Sequence, residues 1–222
     1  MFVAIALDGP AGAGKSTIAK RAAKALDFIY VDTGALYRTI GLAATRQNVV
    51  PEPSAEVDTL LSKITVDLTF NDKGEQIVLL DGEDVSGFIR TPEASMMASK
   101  ISAVPSVRAY LLDLQRNMAK THNVIMDGRD IGTVVLPDAK VKIFLTASPE
   151  ARANRRYNEL CEKGMDVNYE DILNDVITRD YNDSHRETAP LKPADGCVMV
   201  DTTELDFEQS VEKIISVIKE NI

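Results

Sequence analysis

The 222-residue sequence predicts an α/β fold, with a parallel five-stranded core sheet flanked by helices and carrying a small antiparallel insert. Three observations predict it. Short runs rich in Val, Ile and Phe alternate with segments of helical periodicity, the pattern of strand–helix–strand units. Three of those runs end in an acid, Asp8, Asp32 and Asp127. In a parallel sheet all carboxyl ends share one rim, where ligands bind, so these acids are expected to gather there. One stretch, Thr65–Phe70, instead alternates strictly and is followed by turn sequences, which marks a β-meander outside the main sheet.

In chain order, the candidate core strands are Phe2–Leu7, Phe28–Val31, Asn123–Asp127, Lys140–Leu145 and Cys197–Val200. Lys15–Leu26 carries Ile18, Ala19, Ala22, Ala23 and Leu26 at helical spacing. Pro51-Glu52-Pro53 leads into the insert, residues 63–90. There Val66, Leu68 and Phe70 share one face, Asn71-Asp72-Lys73-Gly74 turns the chain into Gln76–Leu80, and Asp81-Gly82 turns it again. Thr91-Pro92-Glu93 supplies an N-cap, an N1 proline and a first-turn acid, and Ser148-Pro149-Glu150 repeats the device. Ser106–Lys120 is amphipathic through Val107, Leu111, Leu114 and Met118. Phe207–Lys219 is amphipathic through Phe207, Val211, Ile214, Ile215 and Ile218.

Composition narrows the function. Twenty-five Lys+Arg against 34 Asp+Glu give a net charge of −9, which argues against wrapping duplex DNA or an anionic membrane but not against a small phosphorylated ligand. Cys161 and Cys197 match no metal-ligand spacing, and His122 and His185 stand alone, so reduced thiols and no zinc site are expected. The apolar start, Met1–Leu7, lacks a basic leader and is too short to span a bilayer, which predicts a soluble, cytoplasmic protein.

The strongest motif is Gly9-Pro10-Ala11-Gly12-Ala13-Gly14-Lys15-Ser16, a G-x-x-x-x-G-K-[ST] phosphate loop between a strand and a helix, with Thr17 following. Glycines let successive N–H groups turn inward around an anion, and the helix adds its positive end. Lys15 suits the β- and γ-phosphates of a nucleoside triphosphate, and the Ser16 hydroxyl suits Mg²⁺. No Asn/Thr-Lys-x-Asp tetrapeptide occurs, which disfavours a regulatory GTPase. Asp127-Gly128-Arg129-Asp130 at a strand end suits transfer between two small ligands: Asp127 can hold a metal-bound water, and Arg129 can neutralise a phosphate acceptor. Thr33, Tyr37 and Arg38 sit at the next strand-to-helix junction, where they can close on a phosphomonoester; a capping threonine and a surface arginine are the alternative. Arg152, Arg155 and Arg156, at i, i+3 and i+4, share a helix face that suits a lid closing over polyphosphate. His185 is read as a solvated or locally paired side chain, since the attacking phosphate oxygen is already ionised. On these residues alone, a kinase for UMP, dTMP or shikimate and a nucleotide-binding regulatory module remain open.

Beyond this, the chain resembles the bacterial-type cytidylate kinases, P-loop nucleoside monophosphate kinases, nearly end to end. The resemblance is carried by Gly9–Thr17, Asp32-Thr-Gly-Ala-Leu-Tyr-Arg38, Asp84-Val-Ser-Gly-Phe-Ile-Arg90-Thr91, Asp127-Gly-Arg-Asp-Ile-Gly-Thr133 and the run from Arg179 through Leu191. The run Gly82-Glu-Asp-Val-Ser-Gly87 belongs to the insert that separates this group from the shorter eukaryotic UMP/CMP kinases. The resemblance implies a P-loop kinase fold and phosphoryl transfer from ATP to CMP and dCMP with Mg²⁺. It also implies ATP and CMP or dCMP as partners, without nucleic acid or membrane, in a monomer. It implies a core domain of residues 1–34, 106–151 and 168–222, an acceptor-binding region at 35–105 and a lid at 152–167. Residue by residue, it assigns the cytosine to Thr33, Ser99, Arg108 and Asp130, with Arg186 near the base. The acceptor phosphate falls to Arg38 and Arg129 beside Tyr37, and the ribose to Arg179 and Asp183. Gly9–Thr17 take the ATP, and Lys15, Arg129, Arg155 and Arg156 are the expected catalytic groups. Ser16 binds the metal, and Asp127 does so through water. Two departures stand out: Thr33 replaces the more usual serine, and Tyr181, Ser184 and His185 replace more charged residues near the ribose positions.

Overall fold

The computed structural model describes residues 2–72 and 74–222; Met1 of the apolar start and Lys73 of the meander turn lie outside the described residues. Strand β1 (Ala4–Asp8) runs into the glycine-rich loop and α1 (Lys15–Leu26). Next come β2 (Ile29–Asp32), α2 (Thr33–Arg46) and α3 (Ala55–Lys63), then the meander β3 (Val66–Phe70), β4 (Gln76–Leu80) and β5 (Glu83–Asp84). Helices α4 (Pro92–Ile101) and α5 (Pro105–Thr121) lead to β6 (Val124–Gly128), a one-turn π-helix (Ile131–Val135) and β7 (Val141–Thr146). The chain ends with α6 (Pro149–Glu162), α7 (Tyr169–His185), β8 (Val198–Asp201) and α8 (Phe207–Asn221).

The main sheet has the order β2-β6-β1-β7-β8, all parallel: the chain passes from β1 to the edge strand β2, returns with β6 between them, and then adds β7 and β8 on the other side of β1. Period-two alternation divides each strand between two cores. Ile5 and Leu7 join α1 and α8 through Ile18, Ala22, Ile214 and Ile218 on one face. Ala6, Val31 and Met126 join Met118 of α5 and Ile131 on the other. Val217 is buried on α8, whereas Phe207, expected on its apolar stripe, is 44% exposed. Phe207 is the first helical residue, next to the Asp206 cap, and the buried stripe begins only at Ser210 and Val211.

The meander forms a separate antiparallel sheet, β3-β4-β5, with Val66 opposite Leu80. It does not float free. The Gln76 side chain accepts from Asp32 N (2.8 Å) and donates to Asp32 O (3.2 Å), fastening β4 to the exposed edge of β2. Helices α2–α5 and the meander bury a third core, including Leu36, Ile40, Leu60, Ile89, Ile101 and Leu111. The two predicted proline-led helix starts hold: Thr91 accepts from Ala94 N and Ser148 from Ala151 N.

Candidate functional site: a phosphate loop facing an arginine-lined cleft

The carboxyl ends of β1, β2 and β6 form the floor of the site. Register places Asp32 beside Asp127 and Asp8 beside Gly128. From this floor the phosphate loop rises. Gly9 has φ 150°, and a Cβ there would lie 1.9 Å from the Leu145 carbonyl oxygen, so only glycine passes. Gly14 caps α1 in the left-handed region (φ 82°). Lys15, the first residue of α1, is buried, and its Nζ donates to Pro10 O at 2.7 Å. Burial, and next the nearby Arg129 guanidinium, hold its ammonium well below the usual lysine range, although Asp127 and Asp8 pull upward. A polyphosphate would supply the compensating charge.

Asp127 is the hub of the floor. Its Oδ2 accepts from Ser16 Oγ at 2.7 Å, its Oδ1 from Tyr30 Oη at 3.2 Å, and its carbonyl from Thr33 Oγ1 at 2.8 Å. Burial, and then neighbouring Asp32, push its carboxyl up to about 6, with Lys15, Ser16 and Arg129 pulling it down. The Ser16 hydroxyl and the Asp127 carboxylate give two hard oxygens side by side. That donor set fits Mg²⁺, which takes one or two protein oxygens and completes its shell with water and phosphate. Among the described residues, no group of three or more His, Cys, Asp or Glu side chains is placed to hold a metal by itself.

Across the floor lies a cleft lined by guanidinium groups. Arg38 Nη2 meets Asp32 Oδ2 (2.7 Å), and Arg129 Nε meets Asp183 Oδ2 (2.8 Å). Arg179 lies close enough for Arg129 and Arg38 to act on it; burial, then Arg129, lowers its affinity for its proton. Burial alone would raise Asp183, but Arg129, Arg179 and Arg186 outweigh it and hold the carboxyl below its usual range. The Nε atoms of Arg38 and Arg179 are buried without a hydrogen-bond partner among the described residues. Buried donors of this kind are costly unless a ligand accepts from them. An anion with several oxygens is the natural acceptor.

Deeper in, Asp130 forms a buried ion pair with Arg108, and Arg186 Nη2 lies 3.7 Å from its other oxygen. Ser102 closes this group, accepting from Arg108 Nη1 through its carbonyl (3.1 Å) and from Arg186 Nη1 through its hydroxyl (3.3 Å). Tyr37 is buried under Arg108, whose guanidinium carbon is 5.5 Å from the ring centroid. Ser99 is half-buried on α4, and its carbonyl accepts from Ser102 Oγ. Asp32, not Thr33, is the N-cap of α2, accepting from Ala35 N at 3.0 Å. The Thr33 hydroxyl is thereby free to bind the Asp127 carbonyl, and Arg38 is bound to Asp32 instead of lying free on the surface.

The lid arginines do not act as one group. Arg152 is 2% exposed and spends its donors on Ala147 O, Ala11 O and both oxygens of Asp180. It ties α6 to α7 and to the phosphate loop, a role the spacing did not single out. Arg155 bonds Thr202, and Arg156 pairs with Glu159 in solvent. The i, i+3, i+4 spacing places these three on one helix, where each meets a different partner: Asp180 for Arg152, the β8–α8 loop for Arg155 and Glu159 for Arg156. Tyr30 is a further residue that the motif spacing did not single out, whereas Asp8 lies on the rim as its strand-end position predicts. On the outer side of the loop, Pro10, Phe144, Ser148, Arg152, Asp201 and Thr203 line an open cavity of about 420 Å³.

Residues 5–220 match the family described as cytidylate kinase. A cytidylate kinase of Caldanaerobacter subterraneus subsp. tengcongensis is 50% identical over 221 residues, covering 100% of this chain and 96% of the relative. One from Lactobacillus johnsonii is 50% identical over 215 residues, covering 97% and 93%. Among solved structures, an uncharacterized protein from Eubacterium ventriosum superimposes with a TM-score of 0.54 at 14% identity over 99% of each chain, a likeness of fold.

Proposed function

The chain belongs to the cytidylate kinase family, and on that premise we propose that it transfers the γ-phosphoryl group of ATP to CMP and dCMP, giving ADP and CDP or dCDP. The observation that supports this best is the pairing, in one cleft, of a buried Asp130–Arg108 group with arginines whose buried Nε atoms lack partners. Cytosine offers an exocyclic amine that a carboxylate accepts from and a ring carbonyl that an arginine donates to. A phosphomonoester offers the oxygens that the Nε atoms of Arg38 and Arg179 lack, beside the Asp183-bound Arg129. Uracil presents a carbonyl where cytosine has its amine, so an acceptor oxygen would face the Asp130 carboxylate with no proton between them in a dry site.

In this reading Arg38 and Arg129 hold the acceptor phosphate, with Arg179 and Asp183 at the sugar and Thr33, Ser99 and Arg186 around the base. The phosphate loop cradles the donor, and Lys15 turns from Pro10 O to the transferring phosphoryl group. Ser16 directly and Asp127 through water would hold Mg²⁺, which when bound would supply charge neutralisation at the donor phosphates. The acceptor oxygen is already ionised, so no general base is required, and catalysis is positioning plus charge stabilisation. Residues 35–105 act as the acceptor arm and 152–167 as a lid whose closure excludes water that would otherwise hydrolyse ATP. Every group comes from one chain, so a monomer in the cytoplasm suffices. Among the described residues, no helix is long and apolar enough to cross a membrane.

An ADP-release assay with CMP, dCMP, UMP and dTMP tests the proposal. Turnover with the two cytidylates and weak turnover with UMP and dTMP is expected. Silence with all four would indicate a nucleotide-binding module without turnover, and preference for UMP or dTMP would place the base pocket elsewhere.

A further inference from the structure

Among the described residues, six helices open on a side chain that caps its own first turn: Asp32, Ser54, Thr91, Ser148, Asn168 and Asp206 each accept from a backbone N–H two or three residues further on. Asp130 precedes the π-helix with a different backbone, φ −146° and ψ 26°, and its side chain makes no such bond. The free N–H groups of that turn are bound from another strand. Asp8 Oδ1 accepts from Ile131 N at 2.8 Å and Asp8 Oδ2 from Gly132 N at 2.7 Å. Asp8 is almost wholly buried, ends β1 and immediately precedes Gly9 of the phosphate loop. Gly132 is pressed close: a Cβ there would stand 3.3 Å from Asp8 Oδ2 and 3.1 Å from Ala194 Cβ.

An aspartate at an N-cap folds back onto vacant N–H groups unless something else occupies them. Here Asp8 takes the first two, Ile131 N and Gly132 N, and the Asp130 carboxylate turns instead to Arg108 and Arg186. We infer that Asp8 is a positioning residue for acceptor recognition: by holding the two N–H groups that directly follow Asp130, it fixes the turn from which Asp130 reaches the base pocket and ties that pocket to the phosphate loop. The inference rests on the reading of Asp130 as the reader of cytosine. Asp8 touches neither substrate; it acts through the turn. Without it, the N–H groups directly after Asp130 are unheld, and Gly132 N becomes a competitor of Arg108 for the Asp130 carboxylate.

The test is steady-state kinetics of Asp8→Asn, Asp8→Glu, Asp130→Asn and the double variant Asp8→Asn/Asp130→Asn, with CMP and UMP as acceptors. An amide at position 8 keeps one acceptor oxygen and turns an N–H against the other backbone donor. Loss of one charge-assisted bond should raise KM for CMP about tenfold and narrow the preference for CMP over UMP by a similar factor. KM for ATP should move less than about threefold, since the loop's own contacts remain. In the Asp130→Asn background, Asp8→Asn should leave the CMP:UMP ratio unchanged, because the group it positions is gone. Equal shifts in KM for ATP and CMP, an intact CMP:UMP preference in Asp8→Asn, or additive effects in the double variant would each overturn the inference. So would failure of both Asp8→Asn and Asp8→Glu to fold while Asp130→Asn folds, which makes Asp8 a purely structural cap. Wild-type protein that does not turn over CMP would overturn the functional reading and this inference together; CMP turnover with an unaltered Asp8→Asn preference would overturn this inference alone.

Discussion

The phosphate loop and the acceptor cleft stand on the same sheet rim, yet they are built on opposite plans. In the loop, cations are satisfied by the protein itself: Lys15 donates to Pro10 O, and Arg152 uses its whole donor fan on carbonyls and Asp180. In the cleft, Asp32, Asp183 and Asp130 each hold an arginine in place, while the buried Nε atoms of Arg38 and Arg179 and Nη2 of Arg186 find no hydrogen-bond partner among the described residues. The loop is a self-contained fold of the backbone whose cations already have partners within the protein. The cleft is a set of positioned but unsatisfied donors, and specificity belongs there because a wrong ligand leaves those donors bare.

The largest expected effect breaks the donor side alone. Lys15→Ala should lower kcat about a thousandfold, the scale of losing a preorganised charge at the transferring group, while titration calorimetry still detects CMP binding. A smaller effect concerns the tie between the two regions. Burial raises the Asp8 carboxyl from 3.8 to about 6, against the pull of the Gly132 and Ile131 N–H groups. Stability from such a group is fully present below its unfolded value and is lost as pH rises through about 6. From pH 3.5 to pH 7.5 the wild type should therefore lose up to about 3 kcal/mol that Asp8→Asn does not lose. The difference between their urea midpoints across that range measures it.

The acceptor side breaks next. Arg179→Met removes a buried, partly unpartnered guanidinium and should raise KM for CMP about thirtyfold, roughly 2 kcal/mol, with KM for ATP nearly constant. The smallest effect lies in the arm, away from either ligand. Thr91→Ala deletes the α4 cap bond to Ala94 N and should lower stability by about 1 kcal/mol, measured by urea unfolding. Failure of these effects to separate, with Arg179→Met disturbing ATP or Lys15→Ala abolishing CMP binding, would merge the two regions into one site.

The same contrast governs what could be read from the sequence. The phosphate loop, α1, the five core strands and the meander were legible because each is specified by neighbours: a glycine spacing, a period of two, a period of 3.6, a capping threonine or serine. The gathering of Asp8, Asp32 and Asp127 followed from parallel strand direction alone. Other features depend on contacts between distant segments. Asp8 meets Gly132 across 124 residues, and no local pattern marks that bond. The π-turn it caps has no periodicity of its own. Arg152, Arg155 and Arg156 share a face, but only the packing of α6 against α7 and the β8–α8 loop decides that Arg152 is buried, Arg155 is bound to Thr202 and Arg156 faces solvent. Tyr37 looked like a partner for a phosphate, and its place beneath Arg108 is set by α5.

The claim that matters most is that Asp130 decides which base the cleft accepts. Its most direct test is the ratio of kcat/KM for CMP to that for UMP in wild type and in Asp130→Asn, a variant that keeps the shape and removes the charge. The ratio is expected to fall about a hundredfold or more, with KM for ATP nearly unchanged. A preference for CMP that survives intact in Asp130→Asn would contradict the account.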